Sequence, residues 1–314
     1  MIFPGDFRDF NQKPSLKLSW VIVFLNIFLY VVIAITFDVW PSQDVRKTLN
    51  DQKFINSIYE MYAQTLDPIE KKKLSGSVNT VYARALKDQK FWSRVTDFPF
   101  KGDQVQIAEN RKVIVSFYQG YLNSPQYHFG LGTLEISPWS WLTYQFVHAT
   151  FMHLLGNIML IFLIISYLEK SVHPIWIAAT YLFSGFAGGI SFLLFDSVGG
   201  MAVIGASASA SGLLSFLLII KSSKLMPWGY LIAPIKDGYG QIYLPVFFIF
   251  PIFLVSDFIS VLWEPSGVVS NVAVSAHIGG VLMGFIMGGY YLLFGSKAPS
   301  HSVFSHHDGF HELS

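Results

Sequence analysis

A serine and a histidine stand in two separate apolar stretches of this chain, each long enough to cross a membrane. Ser207 ends the sequence GAS (205–207), and His277 is the second residue of AHIGG (276–280). Polar groups in such stretches are costly to bury and commonly functional. A hydroxyl that an imidazole deprotonates is a nucleophile for acyl transfer. The two residues therefore predict acyl chemistry within a membrane.

Two further polar side chains could stabilise the oxyanion of such a reaction. His153 and Asn157 are four residues apart, so a helix would carry them on one face, and both can donate hydrogen bonds. Donors of this kind stabilise a tetrahedral oxyanion. His148 would lie about 140° round the same helix from His153, so we expect it to serve a different purpose, at the interface or in packing.

Small residues would let the two spans meet. Gly280 and Gly284 are four residues apart in the histidine's span, and Ala208 and Gly212 are four apart in the serine's span. Such faces allow close backbone contact between membrane helices. A hydrogen bond between serine and histidine is therefore geometrically reasonable.

Each of these residues also has a purely structural interpretation. The serines at 207, 209, 211 and 215 would serve as small packing residues, and a lone buried histidine is more often a hydrogen-bonded structural group. The serine's span begins near Met201, which would put Ser207 roughly 9 Å below its start. A histidine at matching depth makes the catalytic interpretation as good as the structural one.

The composition is that of an integral membrane protein. Of 314 residues, 52% are hydrophobic, 17% aromatic and only 13% charged, and the mean hydropathy is +0.46. The net charge of +1 gives no reason to expect nucleic acid as a partner. Cysteine is absent, which excludes disulfides and thiolate metal sites.

Six apolar stretches are long enough to cross the hydrocarbon core. They are 18–37, 140–168, 174–195, 201–220, 240–262 and 271–294. The second is longer than one crossing needs, so its first part, from Trp139 to Tyr144, is expected at the interface. These stretches predict an all-α, polytopic bundle of six transmembrane helices.

The stretch 38–138, between the first two spans, has a different composition. It holds 24 of the 41 charged residues, and its apolar residues recur at helical spacing. We expect a helical extramembrane insertion. Lysines of the short loops fall on one side of six alternating spans, which predicts cytoplasmic termini, 1–17 and 296–314, with the insertion outside. The histidines of the C-terminal segment fit a polar tail better than a metal site.

The fifth predicted span suggests a moving element. It contains Pro245 and Pro251, which weaken helical hydrogen bonding, together with Phe247, Phe248 and Phe250. One hypothesis is a lateral gate that admits a substrate helix. Prolines simply tolerated in a membrane helix explain the pattern equally well.

Several short motifs together resemble the rhomboid intramembrane serine proteases. They are FVH (146–148), HLLGN (153–157), LE (168–169), GAS (205–207) followed by Gly212, and AHIGG (276–280) followed by Gly284. The resemblance covers roughly 139–294, and the first span fits the same six-helix plan. Each motif alone is weak, whereas the order of the set along the spans makes it specific.

The resemblance implies a catalytic core over 139–295 with a Ser207–His277 dyad and no third acidic member. Ser207 would be the nucleophile and His277 the general base. His153, Asn157 and the Ser207 backbone N–H would form the oxyanion hole. The family further implies acyl-enzyme hydrolysis without metal or cofactor, in or near transmembrane segments of membrane-protein substrates, in contact with lipid. For a bacterial source the location would be the inner membrane. Supporting positions would be Gly205, Gly212, Gly280, Gly284 and His148.

This chain departs from the family pattern at three places. Ala208 follows Ser207 where glycine is usual, and Ser140 follows Trp139 where arginine is common. Ser211 stands where some bacterial members carry an aromatic residue that stacks on the base. The orientation of His277 must therefore come from another contact.

Two other classes of function are compatible with parts of the sequence. A non-catalytic rhomboid-like protein would bind and guide membrane clients, but it would need neither Ser207 nor His277. A haem or metal protein would use His148, His153 and His277, but the first two are expected to face different directions.

Glu169, at the opposite end of its span, is expected to cap or anchor a loop rather than act as an acid.

Overall fold

The structure of this chain is a computed structural model, and it describes residues 2–4, 17–37, 48, 51–72, 77–132, 136–195, 202–221, 224–231, 239–248 and 273–295. Most of these residues are helical, and a small antiparallel sheet accompanies the helices. The polar C-terminal tail predicted for 296–314 lies outside the described residues.

The described residues contain twelve α-helices. In chain order they are α1 Leu18–Thr36, α2 Gln52–Thr65, α3 Pro68–Lys72, α4 Val78–Lys87, α5 Gln89–Arg94, α6 Gln104–Leu122, α7 Pro125–Phe129, α8 Ser140–Thr143, α9 Phe151–Leu168, α10 Pro174–Phe195, α11 Ser207–Lys221 and α12 Val274–Tyr290. A 3-10 turn covers Tyr144–Phe146, another covers Val246–Phe248, and a π turn, Tyr291–Gly295, extends α12. The strands are β1 Ile2–Pro4, β2 Leu225–Leu231 and β3 Tyr239–Pro245.

Within the described residues, four helices are long and apolar enough to cross a membrane. They are Leu18–Thr36, Phe151–Leu168, Pro174–Phe195 and Val274–Gly295. The predicted spans one, three and six match them closely. The predicted second span divides into the short α8 and the membrane-length α9, which agrees with the expected break at its beginning. The chain is thus an integral membrane protein.

The fourth predicted span begins later than expected. Ala202 to Ile204 are extended, Val203 pairs with Leu131 as an isolated bridge, and α11 starts only at Ser207. The prediction that Ser207 lies six residues and roughly 9 Å inside a helix was therefore wrong. An apolar extended segment has the same hydropathy as a helix, so the hydropathy pattern did not reveal the boundary.

The fifth predicted span, 240–262, and the purely helical fold class also need correction. Tyr239–Pro245 is a strand that pairs with β2, from Leu225↔Pro245 to Leu231↔Tyr239, and β2 also pairs with β1. Strand pairing is invisible to a count of apolar residues. The remainder of that span, with Phe250 and Pro251 of the gate hypothesis, lies outside the described residues.

Glycine contacts show how the last helices run. A Cβ on Gly280 would collide with the Ala208 carbonyl oxygen, one on Gly284 with that of Gly212, and one on Gly288 would contact Ile219. Because the residue numbers of the contacting positions increase together along both helices, α11 and α12 are parallel. Their backbones touch at these glycines, as the small-residue faces predicted.

Helix α10 runs against both of these helices. On α10, Gly188 contacts Ala208 of α11, and Ser184, which precedes Gly188, contacts Gly212, which follows Ala208. Against the last helix, Ala187 contacts Gly279, and Trp176 near the start of α10 contacts Gly295 at the end of the π turn. The bundle therefore has α10 antiparallel to the parallel pair α11 and α12. Its apolar core gathers residues of α1, α9, α10 and α11, including Ile22, Ile161, Ile165, Ile177, Leu213 and Phe216.

The stretch 51–129 forms a helical subdomain with a core of its own. Its buried side chains come from α2, α4, α5 and α6 and include Ile58, Met61, Tyr82, Phe91 and Ile114. Aspartates at 51, 88 and 103 cap α2, α5 and α6 by accepting backbone N–H hydrogen bonds. The helical content agrees with the sequence, and a position outside the membrane stays a prediction.

A carboxylate fixes the beginning of α1. Glu169, just after α9, accepts the Ser19 N–H at 3.1 Å and the Ser19 hydroxyl at 2.9 Å. A negative charge at a helix N-terminus satisfies unpaired N–H groups and complements the helix dipole. Glu169 is thus a capping residue, and it joins the start of α1 to the end of α9.

Candidate active site

Ser207 is the first residue of α11, at the end of a turn that requires glycine. Gly205 has φ +119°, a conformation that residues with a Cβ rarely adopt. Its N–H donates to the Tyr144 carbonyl at 2.8 Å. The first N–H groups of a helix have no partner inside the helix and carry the positive end of its dipole. The Ser207 backbone is therefore placed where an oxyanion would be stabilised.

The His153 ring lies against this turn. A Cβ on Gly205 would stand 2.8 Å from Cε1 and 2.9 Å from Nε2 of His153. The Ala149 N–H donates to Nδ1 of the same ring at 3.4 Å. An N–H group can only donate, so Nδ1 is the acceptor and the ring proton sits on Nε2. His153 consequently presents a donor beside Gly205.

Asn157 brings a second donor to the same place. Its Nδ2 would lie 3.9 Å from a Cβ on Gly205, and it donates one hydrogen bond to the His153 carbonyl at 2.9 Å. The amide carries two N–H bonds, and this contact uses one of them. Thr150 caps α9 by accepting the His153 N–H at 3.0 Å, which fixes the beginning of the helix that carries both side chains.

His148 differs from its prediction in position. Helix α9 begins at Phe151, so a helical rotation of about 140° does not apply. The His148 and His153 rings meet edge to face with centroids 5.2 Å apart. The expectation that these histidines face different directions was wrong, because the chain turns between them.

The buried His148 supports the serine turn. Its Nδ1 lies 3.2 Å from the Phe146 carbonyl, and its Nε2 accepts the Ala206 N–H at 3.4 Å. A carbonyl only accepts and an N–H only donates, so both contacts require the neutral ring with its proton on Nδ1. His148 thus holds the residue directly before Ser207.

His277 lies in the first turn of α12 and is 8% exposed. Its neighbour Ala276 packs with Ala208, the neighbour of Ser207, in one small cluster that also contains Phe192. The close contact of Gly280 with Ala208 lies one turn further along α12. The structure therefore brings the first turns of the serine and histidine helices together.

Ser211 forms its hydrogen bond within its own helix. Its hydroxyl donates to the Ser207 carbonyl at 2.8 Å, and Ser215 repeats the pattern by donating to the Ser211 carbonyl at 2.8 Å. Both side chains are buried. These serines satisfy their hydroxyls within α11, which is the structural interpretation of their presence.

Sequence reasoning missed a buried polar contact in the first turn of α11, two residues after Ser207. The Ser209 hydroxyl donates to Oε1 of Gln145 at 2.8 Å, and both residues are fully buried. The Gln145 amide also presses on Gly185 of α10, where a Cβ would collide with it. Tyr144 donates its hydroxyl to the Gly185 carbonyl at 2.5 Å. A glutamine inside an apolar stretch was the signal that could have revealed this contact.

Among the described residues, no group of three or more His, Asp or Glu side chains could hold a metal ion. The pair His148 and His153 therefore has no third ligand in this part of the chain. Both rings already have backbone partners.

A comparison with protein families shows which family the chain belongs to. The family model described as Rhomboid domain matches residues 136–294, about half of the chain. The chain belongs to the rhomboid family of membrane proteins. A search of curated proteins finds no significant match.

Proposed function

We propose that this chain is an intramembrane serine endopeptidase that hydrolyses peptide bonds in or near transmembrane segments of membrane proteins. The observation that carries the proposal is the convergence on Gly205 of the His153 Nε2 and Asn157 Nδ2 atoms, two residues before Ser207. Rhomboid family membership supports this class of chemistry, since the family consists largely of such proteases.

In this reaction Ser207 attacks the substrate carbonyl while His277 takes the hydroxyl proton. The carbonyl oxygen becomes an oxyanion and accepts hydrogen bonds from His153, Asn157 and the Ser207 N–H. Collapse of the intermediate breaks the C–N bond, and His277 returns the proton to the leaving amine. Water then hydrolyses the acyl-enzyme by the same steps, so the serine is regenerated.

The supporting positions have distinct parts in the proposal. Gly205 provides the turn, His148 holds Ala206, and the glycines of α11 and α12 bring the two helices together. Those helix-packing positions are Gly212, Gly280 and Gly284.

Six crossings remain part of the proposal. The Val246 N–H donates to the Lys224 carbonyl at 3.1 Å, so the chain leaves β3 near the C-terminal end of α11. Helix α12 runs parallel to α11 and starts beside the opposite end of α11. The described residues thus stop at Phe248 near one end of α11 and resume at Ala273 near the other end, which supports a further crossing between them. Cytoplasmic termini and an external position of the insertion are proposed with it.

A fluorophosphonate, which reacts with activated serines, tests the function directly. The purified wild-type protein and its Ser207→Ala, His277→Ala and Ser211→Ala variants are compared. We expect labelling of wild type and Ser211→Ala only, because Ser211 is a matched serine one turn away. Labelling that persists in Ser207→Ala would refute the assignment, and an unlabelled wild type would favour the client-binding alternative. Cleavage of a single-pass membrane protein then completes the test.

A further inference from the structure

The segment that leads to Ser207 is held by the helical subdomain. Ala202 is buried, and its N–H donates to the Tyr121 hydroxyl at 3.1 Å. The Ala202 carbonyl accepts the Gln126 amide at 2.5 Å. Tyr121 lies at the end of α6 and Gln126 in α7. Both backbone polar groups of one residue are thus bound by side chains that lie about 80 residues earlier in the chain.

The next residue is fixed by the chain that follows α7. Val203 and Leu131 exchange both of their backbone hydrogen bonds, at 2.8 and 3.1 Å. A Cβ on Gly130 would collide with Ala202, and one on Gly132 would stand 3.1 Å from the Ala202 Cβ. The two strands therefore approach more closely than residues with larger side chains would allow. This pairing sets the register of the segment, because a shift by one residue would break both hydrogen bonds.

Tyr121 is itself firmly placed. Its carbonyl accepts the Ser124 N–H at 2.9 Å and the Ser124 hydroxyl at 2.7 Å, and its ring packs edge to face on Tyr127. One face of α6 enters the subdomain core through Ile114, which is fully buried. The position of the Tyr121 hydroxyl therefore depends on the folded subdomain.

Backbone hydrogen bonds also fix the chain between Ala202 and Ser207. Val203 is paired with Leu131, Gly205 donates to Tyr144, and Ala206 donates to His148. A shift at Ala202 would therefore be transmitted through Val203 to the turn and the serine.

We propose that Tyr121 and Gln126 are positioning residues, through which the helical subdomain holds the nucleophile of the membrane core in its reactive orientation. This inference rests on the proposed protease function and gives the predicted insertion a part in it. Neither residue touches the reacting atoms. Both act through Ala202 and the segment 202–206.

The test uses the full-length protein in detergent and two readouts. Tyr121→Phe removes the acceptor for the Ala202 N–H, and Gln126→Glu removes the donor to its carbonyl. Matched controls are Tyr59→Phe in α2 and Gln119→Glu on the exposed side of α6. The first readout is the limiting rate constant of fluorophosphonate labelling at Ser207. The second is hydrogen exchange of the backbone amides of 202–206, with α2 and α4 as reporters of subdomain folding.

We expect the limiting labelling rate to fall about tenfold in each positioning variant, as for the loss of one buried hydrogen bond. The probe concentration at half-maximal rate should stay unchanged, because probe binding is not altered. Exchange of 202–206 should rise while exchange of α2 and α4 stays at its wild-type rate. Both control variants should match wild type in the limiting labelling rate, in the probe concentration at half-maximal rate and in hydrogen exchange.

Unchanged labelling in both positioning variants would overturn the inference, whether or not exchange rises. An unlabelled wild type would instead refute the protease function. Hydrogen exchange then still tests whether the subdomain holds the segment 202–206. Unaltered exchange of 202–206 in both positioning variants would show that Tyr121 and Gln126 do not hold it. If one positioning variant loses the hydrogen-exchange protection of α2 and α4, its subdomain is no longer folded. The other positioning variant then tests the inference.

Discussion

Gly205 lies so close to His153 that a Cβ on the glycine would stand 2.8 Å from the Cε1 atom of the imidazole. The same glycine has φ +119°. Any side chain at this position would strain the turn and push the ring away from Ser207. The proposed nucleophile, Ser207, and the proposed oxyanion donor, His153, are therefore linked through a residue that has no side chain.

Gly205→Ala should reduce fluorophosphonate labelling at Ser207 by at least about tenfold, since backbone strain of about 1–3 kcal/mol adds to the displacement of His153. Gly156→Ala is the matched control, because Gly156 is exposed on α9 and nothing lies within 4 Å of a Cβ there. Equal labelling rates in the two variants would show that the close approach has no functional consequence.

Gly284→Ala should destabilise the bundle, because its Cβ would collide with the Gly212 carbonyl oxygen. Overpacking of this kind costs about 1–3 kcal/mol. Gly289→Ala lies on the same helix, where nothing stands within 4 Å of a Cβ, and should leave stability unchanged or raise it. Thermal unfolding in detergent measures both. A midpoint for Gly284→Ala at or above that of Gly289→Ala would contradict the backbone contact between α11 and α12.

Gln145 and Ser209 should behave as a coupled pair. Ser209→Ala and Gln145→Leu each leave a buried polar partner without its hydrogen bond, which costs about 1–3 kcal/mol. The double variant removes both groups, so its loss of stability should be smaller than the sum of the single losses by about 1 kcal/mol. Denaturant unfolding of the four proteins gives the coupling energy, and strict additivity would disprove the contact.

The helical subdomain should lose stability at alkaline pH. Burial, and after it the negative charge of Asp88, which accepts the Tyr62 hydroxyl at 3.0 Å, together raise the pKa of Tyr62 to about 12. An unfolded tyrosine ionises near pH 10. The folded state therefore favours the protonated form, and this stabilisation is present below about pH 10 and lost as the pH rises towards 12.

Tyr62→Phe tests this dependence, since phenylalanine has no proton to release. Hydrogen exchange of α2 should accelerate less between about pH 10 and 12 in the variant than in wild type. Tyr59→Phe, on the same helix, is the control. An identical acceleration in wild type and Tyr62→Phe would assign the alkaline loss to other groups.

Length and hydropathy predicted α1, α10 and α12 within a few residues, because a membrane-spanning helix is defined by those two properties. The same reasoning failed at 202–206 and at 240–245. Both stretches are apolar, but their backbone groups bond to distant partners, Leu131 in the first case and β2 in the second. Hydropathy carries no information on such pairing.

The candidate site shows the same division. Helical spacing correctly placed His153 and Asn157 on one face, and small residues predicted the contact of α11 with α12. The position of His148 depended on a turn before Phe151 that no periodicity revealed. The partners of Ala202 lie in a part of the chain with no motif, so nothing in the sequence connected them to Ser207.

The contacts of Ala202 also limit where a truncated form of this protein can begin. The family match begins at residue 136, whereas Tyr121, Gln126 and Leu131 all precede it. A truncated protein that starts at the family boundary would keep Ser207 and His277 but leave both backbone polar groups of the buried Ala202 without these partners. A fragment that keeps the contacts of the segment leading to Ser207 therefore has to begin upstream of Tyr121, well before the start of the family match.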